Sequence, residues 1–326
     1  MANYFVTGVA GFIAARVSLM LLEAGHLVVG LDNLNDAYDV RMKEYRLGTL
    51  QAYDRFQFHK VDIADRSLLD DLKFGSLKFD AIINLAARAG VRASVLNPWA
   101  YIDTNITGTL NLLEFCKRNN IPKFILASTS SIYGADAPLP TPETADSDRV
   151  LQAYAASKKG AEVLCHSYHY LYDIDVTVVR FFTVYGPAGR PDMSVFRFIR
   201  WIVEGKPIQL FGDGTQSRGF TYIDDIARGV INALKQVGFE IINLGGHEDV
   251  TMNELITMIQ KQVGRDAIIE YLPAARADMK ANLADVSKAG KLLGWEPCIG
   301  LEEGISRSID WYLVHRDWAS QLDLNL

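Results

Sequence analysis

The chain is short of cysteine, of long apolar runs and of excess positive charge, and each shortage excludes something. Its three cysteines, Cys116, Cys165 and Cys298, are far apart and form no CxxC pair. Neither a disulfide framework nor a zinc site is indicated, and all three read as small core residues. No apolar run reaches the ~18 residues that a membrane-spanning helix needs. The opening Met1-Ala2-Asn3 runs straight into a strand-like segment, without a basic stretch ahead of an apolar one. A cytoplasmic protein with no membrane partner is expected. The 33 basic residues are dispersed and outnumbered by 39 acidic ones, a net charge of −6, which disfavours nucleic acid as a partner. His166 and His169 lie three apart on one helix but have no third ligand nearby in sequence, so packing, not a metal, is expected there.

What is present is a 326-residue chain, 49% hydrophobic and 22% charged. That composition is globular, and the length suits about two domains of ~150 residues. Strand-like runs at Tyr4–Thr7, Leu27–Leu31, Phe56–Val61, Ala81–Leu85, Lys123–Ala127 and Val176–Phe181 alternate with helical stretches. The helices are expected at about Phe12–Ala24, Arg66–Lys73, Trp99–Asn119 and Leu151–Tyr172. Runs such as Ala81-Ile82-Ile83-Asn84-Leu85 are nearly continuous rather than alternating, as in strands covered on both faces. The pattern predicts an α/β fold with a doubly wound parallel sheet. After Phe181 the rhythm changes, with helices at Ser194–Glu204, from Asp224 and at Leu301–His315, and strands at Ile208–Phe211 and Glu240–Leu244. A capping box, Thr251-Met252-Asn253-Glu254, opens one more helix. No low-complexity linker or internal repeat separates the two parts.

Gly8-Val9-Ala10-Gly11-Phe12-Ile13-Ala14 follows a strand and opens a helix. Gly8 permits a tight turn, Gly11 lets the backbone approach a pyrophosphate, and the helix N-terminus offers free N–H groups. Asp32 ends the next strand, where its carboxylate can accept ribose hydroxyls and repel a 2′-phosphate, so NAD is favoured over NADP. Tyr154 and Lys158 are four residues apart on one helix face. A neighbouring ammonium lowers a phenol's pKa from ~10, equipping it to take a proton from a hydroxyl.

Gly8-x-x-Gly11-Phe12-Ile13, Asn84-Leu85-Ala86-Ala87, Ser128-Thr129-Ser130-Ser131-Ile132-Tyr133-Gly134 and Tyr154-x-x-x-Lys158, in this order, resemble the extended short-chain dehydrogenase/reductase family of nucleotide-sugar epimerases, dehydratases and decarboxylases. The resemblance covers essentially the whole chain, including Arg218-x-Phe220-Thr221-Tyr222-Ile223-Asp224-Asp225. It implies that Tyr154 is the base, that Lys158 orients the nicotinamide ribose, and that Thr129 hydrogen-bonds the reacting hydroxyl. Asn33 would help hold the adenosine ribose, and Asp62 and Ile63 would line the adenine. Leu85, Ala86, Ala87 and Asn105 would contact or flank the cofactor, although Asn105 reads equally well as a polar packing residue. The resemblance further implies a NAD domain at 1–180 with a return of about 222–246, and a nucleotide-sugar domain at 181–221 and 247–326. A homodimer paired through the helices near 99–119 and 151–172 is implied by the same analogy.

The triplet Thr129-Ser130-Ser131 lacks the carboxylates that follow the threonine in resembling dehydratases and decarboxylases. That leaves equipment for removing and returning one hydride, and small hydroxyls that can donate to a sugar carboxylate. The run Gly189-Arg190-Pro191-Asp192-Met193 looks like the corresponding loop of UDP-glucuronate 4-epimerases, with Thr183 just ahead of it. Arg190 suits an anion, either the carboxylate or the diphosphate. By resemblance Arg218 grips the diphosphate, Gln209 and Phe211 hold the uridine, Asp278 is a ribose ligand and Arg92 is a further anion-binding candidate. Arg88, Gly219 and Ala275 depart from common family residues. The expected activity is NAD-dependent 4-epimerisation of a UDP-sugar, UDP-glucuronate first. Alternatives are UDP-glucose or its N-acetylated amino sugar, then decarboxylation, then a non-catalytic NAD-binding regulator.

Overall fold

The computed structural model describes residues 1–67, 72, 74–246, 248–273 and 279–324. Strands β1 (Asn3–Thr7), β2 (Leu27–Asp32), β3 (Phe56–Lys60), β4 (Ala81–Asn84), β5 (Lys123–Thr129), β6 (Asp175–Phe181) and β10 (Phe239–Leu244) form one sheet in the order β10-β6-β5-β4-β1-β2-β3. Every pairing in it is parallel. β4 and β5 are buried throughout, which is why their sequences run apolar without alternation. The strand order reverses between β1 and β4, and ligands of open α/β sheets bind in the crevice such a reversal leaves.

Helices α1 (Phe12–Glu23), α2 (Val40–Gln51), α3 (Val91–Leu96), α4 (Pro98–Tyr101), α5 (Gly108–Arg118) and α6 (Ala153–Tyr172) surround the first six strands. The single helix expected over Trp99–Asn119 is interrupted by a π-helical stretch, Ile102–Thr107, a geometry common at functional sites. The helix α2 was not foreseen. It buries Lys43 and Arg46 beside Met42, Leu47 and Leu50, so two cations interrupt the apolar stripe by which an amphipathic helix is read. The helix expected at about Arg66–Lys73 lies mostly outside the described residues.

The rest of the chain adds β7 (Thr183–Tyr185), β8 (Ile208–Phe211), β9 (Ser217–Tyr222), β11 (Asp249–Thr251) and β12 (Ile269–Leu272). With them come α7 (Ser194–Glu204), α8 (Ile223–Asn232), α9 (Met252–Val263), α10 (Ser287–Leu293), α11 (Leu301–Val314) and α12 (Arg316–Ala319). The small sheets are β11-β9-β7 and β12-β8. A second core of Phe196, Ile199, Leu210, Tyr222, Leu255, Ile305 and Tyr312 lies among these elements. The capping box of α9 is formed, with Thr251 Oγ1 accepting from the Glu254 N–H at 3.2 Å and Glu254 accepting from the Thr251 N–H at 2.8 Å.

Two segments of this later half return to the large sheet. β10 pairs with β6, and α8 sits against α1, where Arg16 donates two hydrogen bonds to Asp224 at 2.7 and 3.0 Å. Cys116 and Cys165 are buried as expected, but Cys298 is exposed. The N–H groups of Cys298 and Ile299 both donate to the Asp225 carboxylate at 2.9 Å, which pins the backbone and leaves the thiol outside. His169 Nδ1 bonds the Ile174 carbonyl oxygen, and His166 packs edge-on against Phe239. Among the described residues no helix is long and apolar enough to cross a membrane.

Trp295 is fully buried and its indole N–H donates to the Asp225 carbonyl at 2.7 Å. Trp295→Ala removes a large core side chain and that bond, and is expected to cost about 3–5 kcal/mol of unfolding free energy in urea titration. A loss below about 1 kcal/mol would mean that the site collapses around the cavity.

Candidate active site

Gly8 has φ +70°, and a Cβ there would sit 2.7 Å from Ala86 Cα. The backbones of β1 and the segment after β4 therefore approach as only glycine allows. A Cβ at Gly11 would meet the Gly8 carbonyl at 2.8 Å. Gly11 is the N-cap of α1, without a side-chain cap, and the first turn carries no acidic residue. The N–H groups of Phe12, Ile13 and Ala14 thus open toward an anion. Asp32, at the end of β2, accepts from the Ala10 N–H at 3.1 Å and the Leu34 N–H at 2.8 Å, which leaves lone pairs for ribose hydroxyls.

Asn33 and Asp62 are brought together by a 2.8 Å hydrogen bond. Ile63 turns its side chain into the core, where it blocks any Cβ on Gly108, and only its backbone remains for the adenine. Asn111, which no sequence pattern marked, holds that turn by donating to the Ile63 and Ala64 carbonyls at 2.9 and 3.2 Å. Leu85, Ala86 and Ala87 continue from β4, with the Ala86 N–H donating to Thr7 Oγ1 at 3.2 Å. Asn105 donates to Ser157 Oγ at 2.8 Å and to the Arg88 carbonyl at 3.0 Å, and accepts from the Arg88 N–H at 2.9 Å. Its amide donors are spent inside the protein, so it flanks the cofactor crevice as a polar packing residue. The glycine cradle, the open helix terminus and the Asp32 carboxylate fit a dinucleotide.

Thr129 ends β5 and caps the 3-10 turn Ser130–Tyr133, with Oγ1 accepting from the Ser131 N–H at 3.2 Å. Its hydroxyl also lies 3.2 Å from Ser131 Oγ. Asn282 donates to Ser130 Oγ at 2.8 Å, bringing the late part of the chain to this turn. Burial raises the Tyr154 pKa, while the Thr129 hydroxyl and the Arg190 positive charge pull it back. Lys158, the expected cation, lies one turn on along α6. It is fully buried, and burial pushes its ammonium down to about 8 while the Glu162 carboxylate raises it.

Arg190 is held by Asp192 through two hydrogen bonds of 3.0 and 2.7 Å and faces the Tyr38 ring at 5.4 Å. Phe12, Thr183 and Arg190 line one cavity with Met193 and Trp311. Arg46, unforeseen like the rest of α2, donates to the Ala10 carbonyl at 3.2 Å and to the Ala188 carbonyl at 3.0 and 2.6 Å. It joins the glycine-rich loop to the Arg190 loop. Arg92 and Phe211 also meet, the guanidinium 3.9 Å from the ring centroid. Gln209 lies two residues earlier on β8, and Arg218 on β9 donates to the Ser217 carbonyl at 2.6 Å. Asp278 lies outside the described residues.

A doubly wound sheet with a glycine cradle at its reversal point, Thr129 at the end of β5 and Tyr154 in the first turn of α6, defines an NAD-binding enzyme built for proton and hydride transfer. The NAD dependent epimerase/dehydratase family model matches residues 4–245, and the chain belongs to that family. It is 55% identical over 312 residues to a UDP-glucuronate 4-epimerase of Thermodesulfobacterium geofontis, covering 95% of this chain and 96% of that one. A UDP-glucuronic acid 4-epimerase from Bacillus cereus, solved with UDP-glucuronic acid and NAD, superposes with a TM-score of 0.89 at 37% identity, covering 96% and 99%. A UDP-glucose 4-epimerase from Thermotoga maritima, solved with UDP-glucose, gives 0.88 at 30% identity, covering 96% and 99%.

Gly8→Ala forces a methyl group against the Ala86 backbone at positive φ. NAD affinity, read by calorimetry, is expected to fall at least about tenfold, since a lost contact of ~1.4 kcal/mol already does this. Unchanged affinity would remove the cradle from the cofactor site.

Proposed function

We propose that this chain epimerises UDP-glucuronate at C4 to UDP-galacturonate in the cytoplasm. The observation that carries the reading is the turn capped by Thr129, whose next residues, Ser130 and Ser131, carry hydroxyls and not carboxylates, with the Thr129 hydroxyl and the Arg190 charge both lowering the Tyr154 phenol pKa against burial. The similarity to UDP-glucuronate 4-epimerases over nearly the whole chain supports it. In this reading residues 1–180 with about 222–246 hold NAD, and 181–221 with 247–326 hold the nucleotide sugar. Gly8, Gly11, Phe12 and Ile13 take the pyrophosphate, Asp32 and Asn33 the ribose, and Asp62, Ile63, Leu85, Ala86 and Ala87 line the rest. Arg218 and Arg92 would bind the diphosphate and Gln209 and Phe211 the uridine, with Asp278 kept as a ribose ligand by resemblance alone.

NAD, when bound, supplies a reversible acceptor for the C4 hydride, so the overall reaction has no net redox change. Tyr154 Oη takes the proton of the 4-hydroxyl and later returns it. The positive charge of Arg190 and the Thr129 hydroxyl favour the phenolate that this requires. Lys158 orients the nicotinamide ribose. A 4-keto uronic acid is a β-keto acid and is prone to lose CO2. Thr129, Ser131, Thr183 and Arg190 restrain the carboxylate against that loss.

Two surfaces support a homodimer. Leu96 and Trp99 are 88% and 73% exposed, and Tyr170 and Leu171 are 79% and 62% exposed on α6. Pairing of these helices with their symmetry copies would cover them.

Purified protein given UDP-glucuronate should yield UDP-galacturonate, and Tyr154→Phe should lower kcat by about 10²–10⁴ while retaining NAD. A UDP-pentose as sole product, or kcat/KM favouring neutral UDP-glucose, would overturn the assignment.

A further inference from the structure

Tyr154, Lys158 and Glu162 recur every four residues on α6 and so share one face. Glu162 is buried, yet it contacts no substrate element. Its carboxylate accepts from Arg180 Nε at 3.0 Å, Arg180 Nη2 at 2.7 Å and Ser128 Oγ at 2.5 Å. Ser128 immediately precedes Thr129. Arg180 in turn donates to Tyr133 Oη at 2.9 Å, and Tyr133 donates to Asn243 at 2.7 Å. The carboxylate is therefore locked from β5, β6 and the 3-10 turn at once, one helical turn below the Lys158 ammonium.

An isolated ammonium at 2% exposure loses its charge unless an anion compensates it. On its own helix Lys158 has Tyr154 and Cys165 beside Glu162, and burial pushes the Cys165 thiol up, so it stays neutral. The surrounding elements contribute Arg92, Tyr101, Cys116, Tyr133 and Arg180, none of them a carboxylate. The carboxylates on those elements are engaged or exposed. Asp175 pairs with Lys123, Glu114 with Lys117 and Tyr168, and Asp103 faces solvent. Among the described residues, that leaves Glu162.

We propose that Glu162 is a positioning residue for the epimerase reaction: locked by Arg180 and Ser128, it is the counter-charge that keeps the buried Lys158 in its ammonium form. The inference rests on the role given to Lys158 above. With Glu162 raising it against burial, the Lys158 pKa stands at about 8. An activity that needs the ammonium is complete below that value and lost as pH rises through it.

The test is the pH dependence of kcat and of NAD retention for the NAD-loaded enzyme, in Glu162→Gln and in Glu162→Gln/Arg180→Met. The double variant leaves no unpaired buried guanidinium. The alkaline limb of both profiles is expected to move down by at least about one pH unit, a tenfold loss above it, with activity recovering at lower pH. Glu162→Asp, which keeps the charge, should leave the limb near its original place. A uniform loss at every pH with the limb unmoved would make the pair purely structural and overturn the proposal. Failure of the double variant to fold would do the same. If the wild-type protein does not turn over UDP-glucuronate, the functional reading fails, while NAD retention against pH still decides the role of Glu162.

Discussion

The site depends on a buried chain of hydrogen bonds running from the end of β4 to the first turns of α6. The Ala86 N–H donates to Thr7 Oγ1, which donates to Asn84 Oδ1 at 2.8 Å. Asn84 Nδ2 donates to Thr109 Oγ1 at 3.2 Å, and Thr109 donates to the Asn105 carbonyl at 2.7 Å. Asn105 then donates to Ser157, which donates to the Tyr154 carbonyl at 2.8 Å. In a low-dielectric interior an unmade link in such a chain is costly, so the members fix one another's geometry. The glycine cradle and the phenol, 146 residues apart in sequence, are held to one frame by it. The π-helical stretch is where this chain turns, since Asn105 sits inside it.

A second constraint joins the cofactor crevice to the later part of the chain. Arg46 spans the Ala10 and Ala188 carbonyls, and Tyr38 accepts from the same guanidinium at 2.7 Å. Farther out, Asp39 accepts from the Asp323 N–H at 2.9 Å and Arg41 donates to the Gln321 carbonyl at 2.7 Å. Tyr45 bonds His315 and receives the Trp311 indole N–H, each at 3.1 Å. Through α2, the loop after Asp32 is tied to the C-terminal helices.

The sheet was legible in the sequence because strands buried on both faces run apolar without alternation through their middles, as Ala81-Ile82-Ile83 in β4 and Phe124-Ile125-Leu126-Ala127 in β5 do. The glycine turn and the Tyr154–Lys158 spacing could be read because each lies within a short stretch of chain, while Thr129 entered only through the family resemblance. What stayed hidden depends on contacts between distant segments. The helix α2 has too polar a face to be read as amphipathic, since its buried positions include Lys43 and Arg46. The Asn282–Ser130 bond joins residues 152 apart. The effect of the Arg190 charge on the phenol comes from a loop 36 residues away in sequence, so no local spacing shows it. Cys298 escaped the core through a backbone anchor on Asp225 that no local pattern encodes.

The pairing of β10 with β6 has a consequence for how the protein is made. Phe239 lies opposite Val176, 63 positions earlier in sequence, so a long segment must emerge between one strand and the neighbour that covers its edge. Until then β6 presents a row of unpaired N–H and C=O groups, the kind of edge that recruits other chains. Non-local parallel pairings of this sort are slow to form. The step most exposed to misassembly during synthesis is therefore the wait for β10, after Thr129, Tyr154 and Lys158 have already left the ribosome.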